Sequence, residues 1–221
     1  MSRICKAPGC NGQRSTQFSP YCRAHRARLR RHGDINQQGV SKAELEPYLR
    51  QVDQRRQKNP ESAIWDHLER RWQAVGSHAR AVIGDHDRGQ AVQRNELQAA
   101  REVLLITGGA ATREVVDTAL AMYLMQGAEL HRFRSDNAFW TQLVRRVRGV
   151  ASLATGETTS ASGAKRLKYR EMGPRTVNAL KGWLVEAFGA AGLRLAQLEE
   201  SEMEARRNER REFREALGEL K

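Results

Sequence analysis

The chain has three cysteines, five prolines and an aromatic fraction of 6% in 221 residues. With all three thiols before residue 23, a disulfide framework is excluded as the main source of stability, and no thiol remains downstream for nucleophilic catalysis. Few prolines, beside abundant Ala, Leu, Arg, Glu and Gln, put little in the way of long helices. No apolar run approaches the roughly 20 residues that cross a bilayer, so a soluble chain is expected, with no membrane partner. Met1 to Ser19 lacks the apolar core of a secretory signal, and a reducing, cytoplasmic setting is expected, nucleoid-associated if the source is bacterial. Acid is missing too: Met1 to Gly33 contains no Asp or Glu.

That acid-free stretch carries eight basic side chains, two-thirds of the chain's formal excess of +12. Three thiolates on Zn²⁺ would subtract one charge and leave about +7. A field of this sign points to an anionic partner. The same stretch holds every cysteine. Four residues separate Cys5 from Cys10, eleven separate Cys10 from Cys22, and two separate Cys22 from His25. Zn²⁺ takes four soft or borderline ligands in a tetrahedron, and a Cys₃His set supplies them with no open position. The expected cofactor is therefore one structural Zn²⁺ on Cys5, Cys10, Cys22 and His25. Pro8-Gly9 suits a turn between the first two thiolates. Cys22 and His25 lie one helical turn apart and face the same way. About 33 residues cannot bury enough apolar surface to fold alone, so metal binding would supply much of the stability. His32 is a competing ligand or a phosphate contact.

Ser19-Pro20 and Gly33 bracket an expected helix over residues 20–32. On it Arg23, Arg26 and Arg30 form a stripe, Arg28 and Arg31 a flank, and Cys22, His25 and Leu29 the inner face. Guanidinium forks suit phosphates and guanine edges. Two further clusters, Arg145, Arg146 and Arg148, then Lys165, Arg166, Lys168 and Arg170, extend the candidate nucleic-acid surface, with His32 as a further contact. DNA is favoured over RNA, because stacking aromatics are scarce near these clusters. A protein interface and a merely solvated helix stand beside this reading.

The stretch from Tyr21 to Asp34, with Cys5 and Cys10 before it, resembles the small zinc finger at the N-terminus of phage and mobile-element HNH homing endonucleases. That family often has an aromatic after the histidine, where this chain has Arg26. The resemblance implies zinc at the four named ligands, association with DNA, and a phage or mobile-element origin. It does not imply cleavage.

Beyond residue 34 the pattern is helical. Asp34 to Val40 reads as a linker (35–40). A capping box at Ser41 to Glu44 opens a helix ending near Lys58. Apolar positions from Ile64 to Ile83 describe a long amphipathic helix, interrupted at Gly84 to Gly89. Another helix stops at Gly108-Gly109, and Thr112 caps a stretch whose segment from Val115 to Met125 is the most buried expected. A helix opens at Ser135-Asp136. Residues 149–165, rich in Gly, Ser and Thr, read as a mobile loop. Pro174 to Phe188 is a helix stopped at Gly189, and a separate charged helix spans 193–221. It is a candidate for oligomerisation or a protein partner, although its heptads are poor. The expected fold is mainly α: a zinc-stabilised module (1–34), a bundle-like helical body (41–192) and a charged C-terminal helix.

Catalytic patterns are weak. His67, His78, His86 and His131 lie outside any strand-like hairpin with a metal partner, and Asp136-Asn137 opens a predicted helix. His78, His86, Asp85 and Asp87 read as a polar interhelical turn. No phosphate loop and no Gly-x-Ser-x-Gly elbow occurs. The sequence thus favours a non-enzymatic, zinc-containing DNA-binding protein, a regulatory or accessory factor of a phage or mobile element. The alternatives are a zinc-module adaptor in a protein assembly and a diverged nuclease.

Overall fold

Helical periodicity becomes a mainly α protein in the computed structural model, which describes residues 3–151, 154–159, 163, 165–169 and 171–219. The helices are α1 (Arg23–His32), α2 (Lys42–Lys58), α3 (Ala63–Asp87), α4 (Arg94–Gly109), α5 (Thr112–Ala128), α6 (Asp136–Val150) and α7 (Pro174–Glu219). Strands β1 (Ala154–Thr159) and β2 (Lys165–Tyr169) lie between α6 and α7.

Helix α5 is the centre of the body. Val115, Val116 and every residue from Thr118 to Met125 are buried, as the apolar run predicts, and α2, α3, α6 and α7 all pack on it. Phe139 of α6 meets Tyr123 of α5 at 5.3 Å between ring centroids, with Phe133 and Trp140 completing the aromatic group. On the other side Trp72 of α3 stacks near Phe188 of α7. Burial of these large side chains supplies the main favourable term for folding. The Ser41 capping box forms as expected, with the Ser41 hydroxyl accepting from Glu44 N–H and the Glu44 carboxylate accepting from Ser41 N–H.

Four sequence expectations change. Helix α3 runs through Gly84 to Asp87, because a helical glycine costs only about 1 kcal/mol and packing against α4 outweighs it; the stop is Gly89, at φ 79°. Helix α7 likewise passes Gly189 and Gly192 without a break, so no separate helix begins at 193. Gly192 is a site of close approach: a Cβ there would collide with the Tyr123 ring of α5. The supposed loop over 149–165 contains β1, which pairs antiparallel with β2 from Ala154↔Tyr169 to Thr159↔Lys165, with an irregularity between Ala154 and Gly156. Backbone hydrogen bonds specify this ribbon, so it needs no continuous apolar face to announce it.

The fourth change matters most for function. Residues 35–40 are a packed connection. Gln37 is buried; its Nε2 donates to Arg132 O at 3.3 Å, and its Oε1 accepts from Arg134 N–H at 3.0 Å. Val40 joins the core, and its N–H donates to Gln142 Oε1 at 3.0 Å. A polar stretch that looks like linker in sequence is immobilised because its amides find buried partners.

Candidate metal centre and basic surface

The N-terminal 33 residues have almost no apolar core, and backbone pairing sets their path. Arg14 N–H donates to Arg3 O, Cys5 N–H to Gly12 O, and an isolated antiparallel bridge joins Ile4 to Gln13. The turn between them contains Pro8 and Gly9, and Gly9 takes φ 69°, the left-handed conformation its sequence position predicts. Lys6 N–H then donates to Pro20 O, which draws the hairpin onto the entry to α1. That helix begins at Arg23 with Cys22 as N-cap, later than Ser19-Pro20 suggests, because Ser19 forms a local turn with Thr16 and Tyr21 instead.

This path brings Cys5, Cys10, Cys22 and His25 together, with one potential ligand atom from each, all within 4.8 Å of one another. His25 Nδ1 lies 3.6 Å from Cys5 Sγ and 3.3 Å from Cys22 Sγ. A tetrahedral ion bonded at about 2.3 Å to sulfur and about 2.0 Å to nitrogen would hold such atoms about 3.5 Å apart. The four side chains therefore lie close enough to hold a metal ion. Among the described residues no other group of three or more His, Cys, Asp or Glu side chains is so arranged.

The thiols differ electrically. Burial pushes Cys5 up, but N–H groups of Ala7 and Cys22, with help from His25 and Cys10, outweigh it and bring the thiol down to about 6. Cys22 N–H lies 3.2 Å from Cys5 Sγ. Cys10 moves the other way: the Gly12 backbone lowers it, while burial and the neighbouring Cys5 and Cys22 sulfurs together raise it. Like groups crowded around one point resist joint ionisation, and a cation at that point removes the conflict. Gly12 borders this crowding, and a Cβ there would stand in van der Waals contact with Cys10 Sγ at 3.4 Å. The sequence reading did not single it out.

Outside the ligands, α1 is a row of exposed guanidinium groups. Arg23, Arg26, Arg28, Arg30 and Arg31 are all exposed, and Leu29, expected on the inner face, is 37% exposed. The side chains of Arg23 and Arg26 make no hydrogen bond or ion pair among the described residues. Arg28 reaches Ile35 O at 3.4 Å, and Arg30 and Arg31 converge on Glu171.

The C-terminal end of α1 docks on α6. Gly33 caps the helix at φ 84°, donating its N–H to Leu29 O. Its own carbonyl accepts from Asn137 Nδ2 at 2.6 Å, and a Cβ on Gly33 would come within 2.5 Å of Asn137 O. Gln142 adds a second tie, with Nε2 at 3.2 Å from His32 Nδ1 and 3.4 Å from His32 O. Burial, then the charges of Arg145, Arg31 and Arg28, push the His32 imidazole down to about 4. His32 thus stands outside the group of Cys5, Cys10, Cys22 and His25 and is tied to α6 by Gln142.

The second basic cluster also needs correction. Arg148 turns into the body and pairs with Glu102 at 2.8 Å, both largely shielded. A buried carboxylate demands such a partner, so this arginine serves the core. Arg145 and Arg146 are half-buried on α6. Lys165, Arg166 and Lys168 occupy β2, and Arg170 lies outside the described residues. The His78 and His86 region is a set of local contacts: His78 meets the Trp183 ring edge-on, His86 pairs with Asp87, and Arg88 pairs with Asp85.

No protein-family model matches the chain, and neither a curated protein nor a solved structure matches it. Among the described residues no helix is long and apolar enough to cross a membrane. The reading of function therefore rests on the metal cluster and the surface it carries.

Proposed function

We propose that the chain is a zinc-containing DNA-binding protein, a regulatory or accessory factor, in which a structural Zn²⁺ presents α1 to the phosphate backbone. One observation carries the reading: five exposed arginines stand on the helix that also supplies the metal ligand His25, in a segment with no acid. Three thiolates and an imidazole suit Zn²⁺ and match poorly the oxygen sets of Ca²⁺ or Mg²⁺. With four protein ligands the ion would be a staple and would leave chemistry to no vacant position. An adaptor role has its own support in the last turns of α7, where Phe213 and Leu217 are 65% and 48% exposed.

Zinc-loaded protein titrated into labelled duplex DNA tests the proposal. Four or five phosphate contacts predict that log K falls against log salt with a slope of about −4. Arg26→Ala weakens binding to all sequences alike if the contact is to phosphate. No binding at low salt would reject the reading, and capture of protein alone would favour the adaptor. Nicking of plasmid with Mg²⁺ or Mn²⁺ would instead return the nuclease alternative.

A further inference from the structure

Glu171 stands between β2 and α7, and its carboxylate closes on two adjacent side chains of α1. Oε2 accepts from Arg30 Nη2 at 2.7 Å, while Oε1 accepts from Arg31 Nε and Nη2 at 3.0 and 2.9 Å. A guanidinium presents its donors to phosphate oxygens in the same way as to a carboxylate. All three side chains remain in contact with water, with 58% exposure at Arg30, 50% at Arg31 and 35% at Glu171. Pairs as exposed as these are weak and exchange readily for another anion.

Arg145 lies beside this triad on α6. It is half-buried, and its side chain makes no hydrogen bond or ion pair among the described residues. Burial and the charges of Arg146, Arg31 and Arg148 bear against its cationic form, and Glu171 is the acid that favours it. Two guanidinium groups of α1 thus close on one carboxylate, with the charge of Arg145 on α6 near enough to feel it, and an anion richer in acceptor oxygens would answer more of these donors.

We propose that Arg30, Arg31 and Arg145 form a phosphate seat at the seam between the metal module and the body, that Glu171 fills this seat in the free protein, and that a phosphodiester of duplex DNA displaces it. The seat itself rests on the geometry of the seam; only the source of its phosphate rests on the DNA-binding reading. The exchange breaks no covalent bond. One anion leaves the arginines for water, and another takes its donors.

Two titrations of zinc-loaded protein separate these claims. In the first, inorganic phosphate is added against chloride at matched ionic strength, with the arginine Nε–H resonances followed by NMR. The seat predicts shifts at Arg30, Arg31 and Arg145, with apparent affinity about tenfold tighter in Glu171→Gln, where the competing charge is gone. Arg145→Gln in that background abolishes the gain, and Arg145→Lys, which keeps the charge, retains part of it. In the second, duplex DNA replaces phosphate. Glu171→Gln is expected to bind about tenfold tighter at low salt, and Arg145→Gln to lower the salt slope by about one phosphate.

Phosphate binding without DNA binding would keep the seat and overturn the DNA reading. DNA binding that ignores Glu171→Gln, with no phosphate response, would overturn the seat and keep the DNA reading. Failure of both titrations would overturn both.

Discussion

The metal module and the helical body solve the same problem with different means. The body surrounds α5 with fully buried side chains such as Trp72, Phe139, Leu143 and Leu184. In the module, Cys5 and Ala7 are the buried apolar residues, and α1 contains no buried residue at all. One region is held by surface removed from water, the other by a handful of backbone hydrogen bonds around four side chains that lie close enough to hold a metal ion. A segment freed from core packing can devote one helix face almost wholly to charge.

This contrast predicts unequal responses, and the largest belongs to the metal. A chelator, or Cys10→Ala, is expected to unfold residues 3–33 while the body remains folded, because metal ligation in small modules contributes on the order of 10 kcal/mol. Amide NMR spectra would show α1 resonances collapsing with those of α5 unchanged; simultaneous loss of both would merge the two regions into one cooperative unit. Next comes the core. Phe139→Ala is expected to cost about 3 to 5 kcal/mol in denaturant melts of the body, with metal stoichiometry intact by elemental analysis. A cost below about 1 kcal/mol would deny α6 its place in the core.

The smallest effect probes the seam. His32 is held near 4 when folded and returns toward 6.5 when unfolded, so between these values the unfolded chain binds the proton that the folded chain refuses. Its contribution is complete above pH 6.5 and is lost as pH falls toward 4. The full difference corresponds to about 3 kcal/mol, which solvent screening of a half-exposed ring reduces to about 1 to 2 kcal/mol. The stability difference between the parent and His32→Asn should shift by that amount from pH 7 to 4.5. A difference that stays constant would mean that His32 protonates as freely in the folded protein as in the unfolded one.

What was legible in the sequence follows from this division. Cys5, Cys10, Cys22 and His25 were readable because few residue types bind soft metals and their spacing needs no knowledge of the fold. The segment from Val115 to Met125 was readable because a mostly apolar stretch marks a central helix. Gly84 and Gly189 misled, since a glycine that ends a helix and one that a helix passes through look alike in one dimension. Gln37, Gln142 and Glu171 were silent: each is an ordinary polar residue whose role comes from a partner some 95 to 141 positions away. The ribbon of β1 and β2 went unread because its pairing is backbone to backbone.

The Gln142 side chain has a geometric consequence. Its amide holds the end of α1 through His32 and the start of α2's approach through Val40 at the same time. These bonds tie the end of α1 to α6 and oppose a swivel of the module. Whatever surface α1 lies along must also accommodate the body at one fixed angle, so the footprint of the protein is a rigid outline rather than a finger searching on a string. Such a device forfeits reach, and in return loses little orientational freedom when it lands.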